Sequence, residues 1–371
     1  MAPTASNTTS SSAIDPREKK LDVPGQHKAA IFDKKGGPVS VRTVPVAREL
    51  KHGEALVRVI YSGVCHTDLH AMLGDWPLDN KLPLVGGHEG AGVVVALGEG
   101  AEEFVKIGDR VGIKWIADSC LKCDFCRRGF EPNCPEAQCS GFTVDGSFQQ
   151  YAVSYARHLS PIPDSLPLDQ AAPILCAGVT VYKALKEAQL TPGQFVAIPG
   201  AGGGLGHLAV QYAVAAGYRV IAIDTGNDKR ALAEKLGAET FIDFKTTKNL
   251  VEEIKQASGG LGPHAAVVAA SGAAAYEQAL DYIRSRGTLV AVGLPGGTDI
   301  KANVFFTVFR SLRIVGSYVG NRQDAVEALD IAARGKVRTS FKTLGLSELP
   351  KVYEDMNSGK IAGRIVLDID K

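Results

Sequence analysis

Four cysteines, Cys120, Cys123, Cys126 and Cys134, fall within fifteen residues as Cys-x2-Cys-x2-Cys-x7-Cys. Core packing does not ask for four soft thiols on so short a stretch. A tetrahedral zinc does, because thiolate sulfur bonds it at about 2.3 Å and a closed four-ligand shell stiffens an otherwise shapeless loop. Two disulfides are the competing reading of the same spacing. The first sixteen residues carry neither a basic n-region nor an apolar h-region, so no secretory signal is expected. A reducing cytosol then favours metal over disulfide.

Three further metal-ligand types are scattered. Cys65 opens Cys-His-Thr-Asp-Leu-His, His88 lies inside Gly-Gly-His-Glu-Gly, and Cys176 stands alone. Each by itself reads as a buried, inert residue. Beside a closed zinc site they suggest a second zinc that keeps one position open. Such a centre is a Lewis acid toward an alcohol or carbonyl oxygen. Glu89 is either a transient fourth ligand or half of a buried ion pair, and Asp68 could orient His88 from behind. Thr67 and His70 offer a hydroxyl and an imidazole for carrying the alcohol's proton outward. On spacing alone a structural role for His70 is equally good.

The second chemical signature is Gly200-Ala201-Gly202-Gly203-Gly204-Leu205-Gly206. Strict Gly-x-G-x-x-Gly spacing fits no register of this run, whereas Gly-x-x-Gly-x-x-Gly fits Gly200, Gly203 and Gly206. Glycines between a strand and a helix let the backbone approach a pyrophosphate, whose charge meets the helix N-terminus. Asp224 follows Gly206 by eighteen residues, at the end of the next apolar run. A carboxylate there can bind an adenosine ribose, and its charge would repel a 2′-phosphate, which points to NAD rather than NADP. A cap or turn residue is the alternative for Asp224, and ordinary surface solvation is the alternative for Lys229 nearby.

Two architectures must position these groups. From about Gly25 to Val153, short β segments such as 55–60, 92–97 and 109–113 alternate with glycine turns, as in an antiparallel barrel-like unit. Beyond about Cys176, apolar strands at 195–198, 219–223, 240–243, 266–270, 288–292 and 313–317 alternate with helical segments. The first helix buries Leu205, Leu208, Ala209, Tyr212, Ala213 and Ala216 at near-helical spacing. Six such units predict a doubly wound parallel sheet. Leu346–Met356 and Arg364–Ile369 are expected to return to the first unit.

The bulk numbers exclude several classes. Length 371 suits two domains. A net charge of +1 leaves no basic footprint for nucleic acid or an acidic membrane. Residues 188–218 hold no Asp, Glu, Lys or Arg, but two prolines and seven glycines break them up, so they read as buried strand, loop and helix rather than a membrane span. The Ser/Thr-rich start reads as a disordered tail over 1–22 without the Arg-rich look of a mitochondrial presequence. Its sequon Asn7-Thr8-Thr9 carries no meaning in a chain that is not secreted. A cytoplasmic enzyme is the expectation.

Cys-His-Thr-Asp-Leu-His, Gly-Asp-Trp-Pro-Leu, Lys-Leu-Pro-Leu-Val-Gly-Gly-His-Glu-Gly-Ala-Gly, Gly-Ser-Phe-Gln-Gln-Tyr, Cys-Ala-Gly-Val-Thr-Val-Tyr and Ile314–Arg322 together resemble the zinc-dependent medium-chain alcohol dehydrogenases, specifically the tetrameric yeast-type branch. The likeness runs from about Val23 to Asp368. It implies an α/β fold: a doubly wound Rossmann sheet over 176–319, plus a GroES-like, mostly β catalytic domain over 23–175 and 320–371. It also implies a catalytic zinc on Cys65, His88 and Cys176 with Glu89 as alternate ligand, and a structural zinc on Cys120, Cys123, Cys126 and Cys134. Thr67 and His70 match the family's proton relay, and His66 and Arg364 its pyrophosphate contacts. Asp224 and Lys229 match the adenosine-ribose pair. Thr180, Val292, Leu294, Ser317 and Val319 fall where the nicotinamide is held, and Gly200 to Gly206 (Gly202, Gly203, Gly204 and Leu205 included) where the pyrophosphate passes. Trp76 and Trp115 match walls of a pocket that favours ethanol and other short primary alcohols. The implied enzyme is a cytoplasmic homotetramer using NAD and two zinc ions per subunit. The same chemistry on aromatic alcohols or polyols, and a non-catalytic zinc-containing NAD-binding protein, are the alternatives. The chain departs from the pattern in its longer tail, in Leu294 where methionine is common, in Met72-Leu73, and in Cys139, which has no family role.

Overall fold

A computed structural model describes residues 14–270, 272–294, 299–358, 361 and 363–371. The sequon at Asn7 lies outside the described residues.

The parallel sheet explains itself residue by residue. Along strand Phe195–Pro199, Val196 and Ile198 point into one apolar core while Phe195 and Ala197 point into another. Strand Arg219–Asp224 does the same, with Val220 and Ala222 on one face and Ile221 and Ile223 on the other. Side chains alternate faces along a strand, so apolar residues at every position demand cover on both sides. Helix Gly206–Ala215 supplies part of that cover through Leu208, Ala209, Tyr212 and Ala213. Burying a leucine such as Leu208 contributes about 2 kcal/mol. The six strands run in the order Thr240–Asp243, Arg219–Asp224, Phe195–Pro199, Ala265–Val268, Thr288–Ala291, Arg313–Gly316, with every neighbouring pair parallel. Chain order reverses beside Phe195–Pro199, which creates the crevice where open sheets of this kind bind ligands.

The other unit is built around the long strand Glu54–Val64, which pairs antiparallel with Gly90–Leu97, Tyr151–Tyr155 and Arg364–Asp368. Arg110–Ile113 and Ser160–Pro161 extend the sheet on one side and Phe341–Gly345 on the other. Thus the last strands of the chain return to the unit built by its first half. Helix Arg322–Ala333 packs Ala325, Ala328 and Leu329 into a core shared by both units, against residues 174–187 and strand Ser160–Pro161, and ties its Asp324 to Lys186 at 2.7 Å.

A helical run from Leu168 to Glu187 joins the two units. It contains a π-helical turn over Ile174–Gly178, just after Pro173, and that turn carries Cys176. Widened turns of this kind are rare overall but frequent at functional sites.

Part of the expected tail is ordered. Asp15 caps a short 3-10 helix, Pro16–Lys19, by accepting from the Arg17 N–H. Arg17 reaches Asp368 at 2.6 Å and Glu18 meets Arg110 at 2.7 Å. Residues 14–22 are therefore docked rather than loose, because Arg17 and Glu18 find charged partners on the distant C-terminal strand and Arg110, while Arg58 and Tyr151 hold backbone oxygens of Arg17, Lys20 and Asp22. Composition over a window does not reveal such pairing.

Candidate active site

Strand Glu54–Val64 delivers Cys65 to the start of helix His66–Leu73, where its backbone N–H donates to Asp68 Oδ2 at 2.9 Å. The other oxygen of Asp68 holds His88 Nδ1 at 2.7 Å. Because the carboxylate accepts, Nδ1 carries the hydrogen and Nε2 is left with its lone pair. That Nε2 lies 3.1 Å from Cys176 Sγ. Cys65, His88, Glu89 and Cys176 each offer one ligand atom, all within 4.8 Å of one another, and all four residues are buried.

The electrostatics favour a cation at this point. The hydrogen bond from Cys176, with help from His88 and Arg364, holds the Cys65 thiol well below its ordinary range despite burial. The same contact pushes Cys176 up. Burial opposes charging His88, but the Asp68 carboxylate outweighs it and raises the imidazole. Burial pushes Glu89 up to about 7 against the pull of Arg364. Arg364 grips Glu89 Oε1 as a fully buried ion pair, while Glu89 Oε2 has no partner among the described residues. Two soft sulfurs, one imidazole nitrogen with its tautomer fixed and one unengaged carboxylate oxygen fit zinc.

The other four cysteines also converge as one cluster, and all seven are free thiols. The Cys123 N–H points at Cys120 Sγ at 3.4 Å and the Cys120 N–H at Cys134 Sγ at 3.5 Å. Backbone N–H groups pull Cys120 down to about 7, whereas burial pushes Cys126 up to about 12. The loop is anchored by Asn321 Nδ2 donating to Gly129 O at 2.8 Å and by Arg322 on Glu131 at 3.0 Å.

At the crevice, Gly200 has φ of +82° and its carbonyl oxygen lies where a Cβ on Gly206 would be, so both positions require glycine. Asp224 accepts from the Gly202 N–H at 2.9 Å and the Thr225 N–H at 2.8 Å, and pairs with Lys229 at 2.7 Å. Arg364 lies against the same loop, with Cδ 3.1 Å from the Cβ position of Gly204. It therefore spans from the glycine run to Glu89 at the metal cluster. His66 and Thr67 stand on the first turn of their helix, exposed and half-buried respectively. Thr180 and Val292 are buried, Leu294 is 63% exposed, and the buried Ser317 Oγ has no partner among the described residues.

Trp76 and Trp115 meet edge-to-face at 6.2 Å, and Trp115 stands 5.1 Å from the His88 ring. Phe142 closes against both at 5.9 and 5.7 Å, Val319 packs on the same cluster, and Tyr318 Oη accepts from Trp115 Nε1 at 2.6 Å. Phe142 and Tyr318 escape the sequence reading. Tyr318 sits inside the motif Ile314–Arg322, yet nothing in that string says which way its ring turns.

Residues 51–164 match the family model described as the alcohol dehydrogenase GroES-like domain, and residues 204–334 match the zinc-binding dehydrogenase model. The chain is 55% identical to alcohol dehydrogenase 1 of Emericella nidulans over 350 residues, covering 94% of this chain and 99% of that one. Among solved structures, an alcohol dehydrogenase of the hyperthermophilic archaeon Aeropyrum pernix aligns with a TM-score of 0.83 at 32% identity, covering 92% and 99% of the two chains. An acetophenone reductase of Geotrichum candidum in complex with NAD aligns with a TM-score of 0.82 at 28% identity, covering 94% and 99%.

Proposed function

The chain belongs to the zinc-dependent medium-chain alcohol dehydrogenases, and from that premise we propose that Cys65, His88 and Cys176 hold the catalytic zinc and that short primary alcohols are its substrates. It is an NAD-dependent zinc enzyme that interconverts alcohols and aldehydes. When bound, zinc supplies a Lewis acid for the substrate oxygen and NAD supplies the hydride acceptor.

The rest is the work of side chains. Asp68 keeps His88 Nε2 free to ligate. Glu89, with one oxygen unengaged, serves as the alternate ligand, and Arg364 holds the other oxygen. Cys120, Cys123, Cys126 and Cys134 hold the structural zinc. Thr67 and His70 take the proton that the alcohol loses and hand it to solvent. Gly200, Gly203 and Gly206 open the backbone to the pyrophosphate, which Arg364 and His66 approach from the side. Asp224 presents its carboxylate, with Lys229 beside it, to the adenosine ribose. Thr180, Val292, Leu294, Ser317 and Val319 border the nicotinamide. Trp76, Trp115, Phe142 and Tyr318 narrow the substrate space, which supports ethanol-sized alcohols over aromatic ones.

One observation carries the reading: four ligand atoms of the right chemistry, from three separate segments, meet within 4.8 Å in a buried place. The test combines metal counting with an NADH assay over a series of alcohols. Wild type is expected to hold two zinc ions per chain and to turn over short primary alcohols fastest. Cys65→Ser is expected to lose turnover and retain the zinc of the Cys120 loop. Loss of both ions together, or a preference for bulky alcohols, would refute the assignment.

We also read the enzyme as a cytoplasmic homotetramer. Helix Val304–Phe309 exposes Phe305, Val308 and Phe309, the last at 75%, beside strand Arg313–Gly316 at the edge of the parallel sheet. An open edge next to an apolar helix suits a second copy of this chain.

A further inference from the structure

Helix His66–Leu73 ends at Gly74, whose left-handed backbone (φ +68°) lets its N–H donate back to His70 O at 2.8 Å. The turn folds the next two residues over the His70 ring. Asp75 places both carboxylate oxygens on Nδ1, at 3.0 and 2.9 Å. Trp76 lies over the ring face, 5.5 Å between centroids and 23° from parallel. The ring is thus held at one edge and one face, and Trp76 continues through Trp115 to His88.

We propose that Asp75 is a positioning residue for proton release. It fixes the His70 tautomer and ring angle so that Nε2 alone exchanges a proton with the active site. The argument rests on the reading above that His70 carries the alcohol's proton. A carboxylate only accepts, so the hydrogen of a neutral His70 must sit on Nδ1. Nε2 then takes the incoming proton, and the imidazolium is balanced by Asp75 until the proton leaves to water. Without the carboxylate the hydrogen is free to sit on either nitrogen, and the fraction bearing it on Nε2 cannot accept. The pair is partly open, with side-chain exposures of 28% for His70 and 47% for Asp75. Its Coulomb contribution to stability is therefore small, whereas its effect on orientation does not depend on burial. The other titratable groups close by are His66, on the same helix, and Lys35, whose ammonium is taken by Asp79 at 3.0 Å.

The experiment compares Asp75→Asn, Asp75→Glu, His70→Gln and the Asp75→Asn/His70→Gln pair as zinc-loaded enzymes. Asp75→Asn is expected to lower kcat about tenfold, the scale on which a histidine's supporting carboxylate acts. KM values and melting temperature should hold, and Asp75→Glu should recover most of the loss. Added to His70→Gln, the asparagine change should do nothing more, because its effect runs through the imidazole. Independently of turnover, 15N spectra of histidine-labelled, NAD-free enzyme should show His70 protonated on Nδ1 in wild type and a tautomer mixture in Asp75→Asn. Full kcat in Asp75→Asn, with loss in His70→Gln, removes the inference and leaves the relay intact. Full kcat in both removes the role of His70 itself and the inference with it. Additive losses in the pair assign Asp75 to some other task.

Discussion

His207 shows how a single side chain sets a pH limit. Its Nδ1 donates to Gly203 O at 3.0 Å and its Nε2 accepts from the Ser340 N–H at 3.2 Å, so both nitrogens are committed as a neutral ring. Burial holds it down to about 4, against an ordinary 6.5. Between those values the unfolded chain binds a proton that the folded chain refuses, so stability rises with pH across the window and is lost as pH falls through it. The scale is roughly 1.4 kcal/mol per pH unit, or about 3 kcal/mol over the whole interval. Urea unfolding at pH 7 and pH 5 should show this loss in wild type and a smaller one in His207→Gln. Equal losses would move the acid sensitivity to another group. At this scale the sequence is most eloquent where ligands are close in the chain. The Cys120–Cys134 spacing favours a metal loop once disulfides are weighed against it, whereas the Glu89–Arg364 pair joins residues 275 apart and leaves no local trace.

Among elements, the glycine loop is the least forgiving. A Cβ on Gly206 would strike the Gly200 carbonyl oxygen, and that atom belongs to the turn at the strand's end, not to a mobile side chain. Gly206→Ala is therefore expected to weaken NAD binding by at least an order of magnitude, while the distant Cys120 loop keeps its metal. Fluorescence titration with NADH checks the first and metal analysis the second, and unaltered affinity would mean that the loop adjusts freely. The six strands of the parallel sheet were readable because each is a short, mostly apolar run set between helical segments, whereas Tyr151–Tyr155 and Phe341–Gly345 of the other sheet were not singled out. The π-helical turn at Cys176 was not, since backbone widening over Ile174–Gly178 has no residue preference to betray it. Phe142 and Tyr318 were hidden for a related reason: their part in the aromatic wall depends on which loops face one another.

For the molecule as a whole, the decisive question is how many copies assemble. The exposed face of helix Val304–Phe309 should disappear from solvent in the oligomer. Light scattering of wild type is expected to give four times the chain mass of 39.1 kDa, and Phe309→Asp with Val308→Asp a smaller species. A monomeric wild type would overturn the assembly and leave the catalytic residues untouched. Domain membership was only partly legible at this scale. Strand Arg364–Asp368 lies beside Glu54–Val64, while helix Arg322–Ala333, well earlier in the chain, packs on the helical run that joins the two units and on strand Ser160–Pro161.

The clasp formed by Arg17, itself held by Asp15, and by Arg58 on Asp368 and Asp370 has a practical side. It fastens Arg17 to Asp368 and Asp370, so the short helix Pro16–Lys19 and the last strand are held as neighbours. Trimming the leader at residue 22 to mimic a shorter relative would strip one arginine from two aspartates. A purification handle grafted after Lys371 would compete for the same ground.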